Sequence, residues 1–150
     1  MNKYMIYLNT NRCIGCHACE IHCKANKNLP FGPILCEIDH QPLKSIKGVP
    51  KTEFSFRSCY QCEDPNCAHI CPTDALAKRE DGIVMLDEEK CIGCMACAGA
   101  CPWGIPQFNP KTNKMVKCDY CFDRLDQGLK PACVTKCTTH ALKLATLAEI

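Results

Sequence analysis

The chain has 150 residues, 18 Lys and Arg against 16 Asp and Glu, and a formal net charge of +2. Its 17 cysteines, about 11% of the residues, require either a disulfide scaffold or a metal protein, and an odd count excludes complete disulfide pairing. Without them only about 53 apolar residues remain beside ten prolines and eight glycines, so bound metal has to contribute to folding.

Residues 1–11 hold no apolar run followed by a small-residue cleavage site, and no segment approaches the ~18 apolar residues of a membrane helix. The expectation is a cytoplasmic chain without direct membrane insertion, whose thiols stay reduced and serve as metal ligands; export would need a signal-bearing partner. Tyr4–Leu8 reads as a strand. A first cysteine group follows, Cys13, Cys16, Cys19 and Cys23. Residues 24–58, with Pro30, Gly32, Pro33, Pro42, Gly48 and Pro50, read as an extended insertion with one or two strands and carry the isolated Cys36. The second group is Cys59, Cys62, Cys67 and Cys71. Residues 75–78 and 83–86 flank the turn pair Asp81-Gly82 and predict a β-hairpin. The third group is Cys91, Cys94, Cys97 and Cys101, and the fourth is Cys118, Cys121, Cys133 and Cys137. Short helices are expected after Cys19, Cys67, Cys97 and Cys133, because the next cysteine lies four residues on, on nearly the same helical face. Residues 142–147 read as a strand that pairs with Tyr4–Leu8 and joins the two ends of the chain.

Groups one and three align without gaps at an offset of 78, from Cys13 to Cys91: Arg12-Cys-Ile-Gly-Cys-His-Ala-Cys matches Lys90-Cys-Ile-Gly-Cys-Met-Ala-Cys. The ends of groups two and four also correspond, Cys71 to Leu76 against Cys137 to Leu142, so the order is A, B, A, B. Both A groups have the run Cys-x2-Cys-x2-Cys-x3-Cys, which ligates [4Fe-4S] clusters; its first three thiolates wrap one cluster and its fourth serves another. Residues 59–101 resemble a complete bacterial two-cluster ferredoxin. That resemblance implies Cys59, Cys62, Cys67 and Cys101 on one cluster and Cys71, Cys91, Cys94 and Cys97 on the other. Duplication extends it: Cys13, Cys16, Cys19 and Cys137 hold a third cluster, and Cys23, Cys118, Cys121 and Cys133 a fourth. The expected fold is therefore α+β, with duplicated bacterial ferredoxin-like units of short helices and β-hairpins. It comprises an outer half (1–23 plus 102–150), the insertion 24–58 and an inner half (59–101). Four loaded clusters, each near −2 with its thiolates, bring the charge to about −6 and argue against nucleic acid as a partner.

Structural zinc is the rival for paired Cys-x2-Cys knuckles, but it has no use for a third and fourth cysteine at these spacings. The four groups in order, with Cys101-Pro102-Trp103-Gly104-Ile105-Pro106-Gln107-Phe108 and the run from Lys117 to Val134, resemble the four-cluster iron-sulfur subunits of molybdenum and tungsten pterin oxidoreductases. Cys94 stands where some of those subunits have tryptophan and a three-iron cluster, so four [4Fe-4S] clusters are implied. In its compactness the chain resembles the small ferredoxin-like subunit of tungsten aldehyde oxidoreductase complexes. The resemblance implies a non-catalytic electron relay. Its partners would be a Mo/W-pterin catalytic subunit, such as an aldehyde or formate oxidoreductase, and a further redox subunit, a flavoprotein or a membrane quinone or cytochrome subunit. Copies of the chain stacked as a filament are a third partner that the sequence permits. The alternative reading is a carrier for a hydrogenase or carbon monoxide dehydrogenase.

Other residues carry less. Cys36 is expected to be a small residue of the insertion. His17, His22, His69 and His140 lie within cluster motifs as loop residues or hydrogen-bond donors to sulfur, Trp103 as a packing or screening residue, and Arg124 and Lys130 as counter-charges. No nucleophile-base set, phosphate loop or flavin motif occurs.

Overall fold

The computed structural model describes residues 3–146. Strand β1 (Tyr4–Leu8) alternates half-buried Tyr4, Ile6 and Leu8 with exposed Met5 and Tyr7, the period of a strand with one face covered. Its partner is β10 (Leu142–Thr146), antiparallel, so the two ends of the chain are stitched together as expected. Leu147, the last residue of the expected strand, lies outside the described residues.

Helix α1 (Ala18–Asn26) follows the first cysteine loop, with Glu20 in its first turn and Lys24 in its last, both favourable to the helix dipole. Cys19 and Cys23 share its buried face. The insertion holds four strands rather than one or two. β2 (Glu37–His40) pairs with β5 (Phe54–Arg57), and between them β3 (Lys44–Ile46) pairs with β4 (Val49–Lys51). Lys47 and Gly48, both at positive φ, make the two-residue turn of the inner hairpin.

Then come α2 (Asn66–His69), the expected hairpin of β6 (Leu76–Lys78) and β7 (Val84–Leu86), and α3 (Ala96–Ala100). A second hairpin, β8 (Gln107–Asn109) and β9 (Lys114–Val116), follows, absent from the sequence expectation. The chain continues through α4 (Phe122–Leu125) and α5 (Ala132–Thr135) into β10. The helices after Cys67, Cys97 and Cys133 are single turns that end before Cys71, Cys101 and Cys137; only α1 carries its fourth cysteine inside the helix. Among the described residues every strand pairs in a two-stranded ribbon, the α+β arrangement expected.

The duplication is legible in the backbone. Gly15 and Gly93, at φ 64° and 70°, and His17 and Met95, at 58° and 61°, take the left-handed conformation at the same offset of 78. Gln61 and Tyr120 do so two residues after Cys59 and Cys118, and Asp74 and His140 three residues after Cys71 and Cys137. The strand register repeats as well: Leu76 faces Leu86 as Leu142 faces Leu8, and Lys78 faces Val84 as Leu144 faces Ile6. One buried cluster gathers Cys19, Cys23, Leu35, Cys36, Ile38, Val116, Cys133, Val134 and Leu142; the other gathers Ala75, Leu76, Val84, Cys91, Cys97 and Met115. The second hairpin enters both, through Val116 and Met115.

Candidate iron-sulfur centres

Each Cys-Ile-Gly-Cys loop is shaped by a glycine that no other residue replaces without strain. A Cβ on Gly93 would stand 2.3 Å from the Asn113 carbonyl oxygen, and one on Gly15 would stand 2.4 Å from Cε1 of Phe54. In both halves a hairpin thus lies across the loop: β8 and β9 over Gly93, and the β5 end of the insertion over Gly15.

Several cysteines of the expected sets are neighbours. Cys13, Cys16, Cys19 and Cys137 line one small cavity. The Cys13 thiol is pushed up by burial, with Cys19, Cys137 and Cys16 adding to the effect. Burial likewise raises Cys67, opposed by the Lys117 ammonium and reinforced by Cys59 and Cys101. It pushes Cys97 up to about 11, beside Cys67, Cys91 and Cys94, and Cys71 packs on the same core as Cys91 and Cys97. Cys118 is half-buried, and burial raises its thiol well above the ordinary range, with Cys59, Cys23 and Cys133 as neighbours. Cys121 rises to about 11 through burial, beside Cys133. Cys62 is half-buried, whereas Cys16 and Cys94 are exposed.

Backbone amides aim at several sulfurs. Ala141 and Leu142 donate to Cys137 Sγ at 3.2 and 3.4 Å, Ala75 to Cys71 Sγ at 3.3 Å, and Gly93 and Met115 to Cys91 Sγ, each at 3.4 Å. The donor four residues beyond Cys71 and beyond Cys137 is the same feature used twice. Asn26 Nδ2 approaches Cys121 Sγ at 3.7 Å. Such donors favour charged sulfur over neutral thiol.

All seventeen cysteines are free thiols. Among the described residues no three Cys, His, Asp or Glu side chains gather tightly enough for a single ion. A tetrahedral zinc site with Zn–S near 2.3 Å needs sulfurs about 3.8 Å apart; looser sets of thiols under converging amides instead fit a cubane, which keeps its ligands on separate irons. The donor set thus fits [4Fe-4S] clusters, and the cysteine count fits four.

Cys36 is not the incidental residue expected from its isolation. It is 3% exposed, packs in one core with Cys19, Cys23 and Cys133, and its sulfur lies 3.7 Å from the Cys19 carbonyl. As an S–H donor it draws Cys19 and Cys23 down, and its own thiol is raised strongly. No spacing along the chain signals this, because the contact spans the fold. Cations beside the cysteines include Lys27, near Cys23 and Cys121, Lys117, near Cys67, and Lys114, which donates to the Cys91 carbonyl. Arg124 instead donates to the Lys130 carbonyl at 2.8 Å and reaches the Thr135 hydroxyl. His17 Nδ1 meets the Glu20 carboxylate at 2.9 Å and its Nε2 meets His40 at 3.0 Å, so it ties α1 to the insertion. Trp103, 49% exposed, rests on the Tyr60 ring at 4.8 Å, a packing contact at the surface.

The profile of the 4Fe-4S dicluster domain family matches residues 50–147. The protein is 38% identical to the B subunit of anaerobic dimethyl sulfoxide reductase from Escherichia coli, over 99% of its own length and 76% of that relative. It is 39% identical to the thiosulfate reductase electron transfer subunit of Salmonella typhi, over 99% of its own length and 78% of that relative. With the B subunit of polysulfide reductase from Wolinella succinogenes it shares 38%, over 98% of its own length and 78% of the relative.

Proposed function

Because the chain belongs to the 4Fe-4S dicluster domain family, we propose that it is the relay of a reductase complex, carrying four [4Fe-4S] clusters in one row. It is an electron-transfer subunit rather than a catalytic one. In the proposed wiring Cys13, Cys16, Cys19 and Cys137 hold cluster 1, and Cys23, Cys118, Cys121 and Cys133 cluster 2. Cys59, Cys62, Cys67 and Cys101 hold cluster 3, and Cys71, Cys91, Cys94 and Cys97 cluster 4. The outer half (1–23 plus 102–150) thus carries clusters 1 and 2, and the inner half (59–101) clusters 3 and 4.

The observation that carries this reading is the chain of neighbours between sets. Cys97 is beside Cys67, Cys59 is beside Cys118, and Cys36 packs in one core with Cys19, Cys23 and Cys133. These links support the cluster order 4, 3, 2, 1. The exposed cysteines, Cys94 and Cys16, belong to the two end sets, so the row opens to partners at its extremities.

When bound, a [4Fe-4S] cluster supplies a centre that takes up and releases one electron at a potential set by its surroundings. The chain's residues do the rest. The thiolates fix the spacing, the amides on Cys71, Cys91 and Cys137 stabilise added negative charge, and burial of Cys121 and Cys133 excludes water from the middle of the row.

The partner at one end, on this proposal, is a molybdenum or tungsten pterin subunit, and at the other a membrane quinone or cytochrome subunit or a flavoprotein. The reductase relatives support the first. Among the described residues no helix is long and apolar enough to cross a membrane, and a cytoplasmic site of assembly belongs to the same proposal. Cys137→Ser tests the wiring: it should alter the same EPR component as Cys16→Ser and leave the one altered by Cys118→Ser. The reverse match overturns the pairing. A native complex that holds nickel and no pterin overturns the partner.

A further inference from the structure

Lys117 precedes Cys118 and is 6% exposed. Lysine normally keeps its head group in water even when its stem is covered; here the ammonium is turned inward. It donates to the Val84 carbonyl at 2.5 Å and to the Cys118 carbonyl at 2.8 Å. Gln61, 1% exposed, braces the same place: its Oε1 accepts from the Val84 amide at 2.8 Å and its Nε2 donates to the Cys118 carbonyl at 3.1 Å. Two carbonyls satisfy donors without cancelling charge.

Two half-buried lysines are neutralised by carboxylates, whereas Lys24 and Lys114, also half-buried, donate to the Pro33 and Cys91 carbonyls. Lys27 meets Asp119 at 2.8 Å and Asp123 at 3.4 Å, and Lys78 meets Glu63 at 3.5 Å. Among the described residues Lys117 has no carboxylate within ion-pair distance, so its ammonium stands in the interior without a protein anion to offset its desolvation. Gln61 lies between Cys59 and Cys62 and donates to the same Cys118 carbonyl as Lys117, so the ammonium stands beside the loop of the Cys59, Cys62, Cys67 and Cys101 set. Its charge opposes the burial that raises the Cys67 thiol. The duplication supplies an internal comparison: Ser58 precedes Cys59 as Lys117 precedes Cys118, and it too is buried, at 7% exposure, but neutral. The cation is therefore particular to one side of the junction and no requirement of the fold unit.

We propose that Lys117 is a potential-setting residue: its buried ammonium is the counter-ion of the cluster held by Cys59, Cys62, Cys67 and Cys101, and it raises that cluster's reduction potential. This rests on the ligand assignment proposed above. A fixed positive charge stabilises the form that has gained an electron more than the form that has not, by the difference in their charge.

The test uses the full chain, purified and loaded without oxygen, in wild-type, Lys117→Met and Lys117→Arg forms, with iron content and a potentiometric EPR titration of each. Lys117→Met should retain the wild-type iron and lower one midpoint, so that reduction of that cluster becomes about tenfold or more less favourable, 59 mV for one electron. The shifted component should be the one that Cys67→Ser removes, and Lys117→Arg should restore most of the shift. Unchanged midpoints in Lys117→Met, or loss of iron in both variants, overturns the proposal. A shift in the component that Cys118→Ser removes overturns the choice of cluster. Fewer than four components in the wild type overturns the four-cluster reading itself.

Discussion

Gly93→Ala tests how the cysteine loops are held. The new methyl would sit 2.3 Å from the Asn113 carbonyl oxygen, 3.3 Å from its carbon and 3.4 Å from Cε2 of Phe108. Its nearest neighbour is backbone in a tight hairpin turn, where the Asn113 amide already bonds to the Asn109 carbonyl at 2.9 Å, so it has no rotamer in which to retreat. Left-handed φ costs alanine about 1–2 kcal/mol, and overpacking adds about 1–3. The stiffer unfolded chain returns about 0.4–1, for a net loss of about 1–4.6 kcal/mol. Gly104→Ala is the control: φ is +60° but nothing lies within 4 Å of the added carbon, so only the backbone terms remain, about 0–1.6 kcal/mol. Unfolding of a cluster protein is not two-state, so the assay is the rate of bleaching near 400 nm in guanidinium, with iron measured after purification. Gly93→Ala should bleach about tenfold faster than Gly104→Ala or more, with the Cys91, Cys94 and Cys97 cluster affected first. Equal rates would refute the claim that the β8–β9 hairpin clamps this loop. Gly15→Ala should be milder, because its clash is with the movable Phe54 ring.

Cys36→Ala should leave the iron content unchanged and cost about 1 kcal/mol for the lost thiol donor, read as a lower guanidinium midpoint for bleaching; loss of one cluster's iron would make Cys36 a ligand. Reconstitution should become more complete between pH 7 and pH 9. The Cys97 and Cys121 thiols, pushed from the ordinary 9.0 to about 11 by burial, must each lose a proton to bind iron. Higher pH enlarges the thiolate fraction, and metal binding releases the proton. Loading that is flat or falls with pH, followed by iron and sulfide uptake, would contradict this.

Much of the fold is readable in the sequence, because the signals are local. Gly15 and Gly93 sit where a loop must turn left-handed, Asp81-Gly82 makes a hairpin turn, and Leu76 and Leu142 follow equivalent cysteines. Those features set a register that repeats in both halves. The β8–β9 hairpin escapes such a reading although Asn109, Pro110 and Asn113 are turn residues, since its strands have three residues each and no period to read. The short strands of the insertion escape it for the same reason. Cys36 and Lys117 are beyond its reach: one is buried by contacts from Cys19 to Cys133, the other by carbonyls on β7 and at Cys118, and no spacing along the chain encodes either. Arg124 stands out as a counter-charge because charge is visible in a sequence, while the carbonyl that occupies it is not.

The central claim, four cubanes in one short chain, is tested most directly by iron and acid-labile sulfide per chain, with a Mössbauer spectrum, on protein purified without oxygen. Four clusters predict about sixteen iron and sixteen sulfide, all in four-iron environments, with broad absorbance near 400 nm. About eight iron, or stoichiometric zinc without that absorbance, would contradict it.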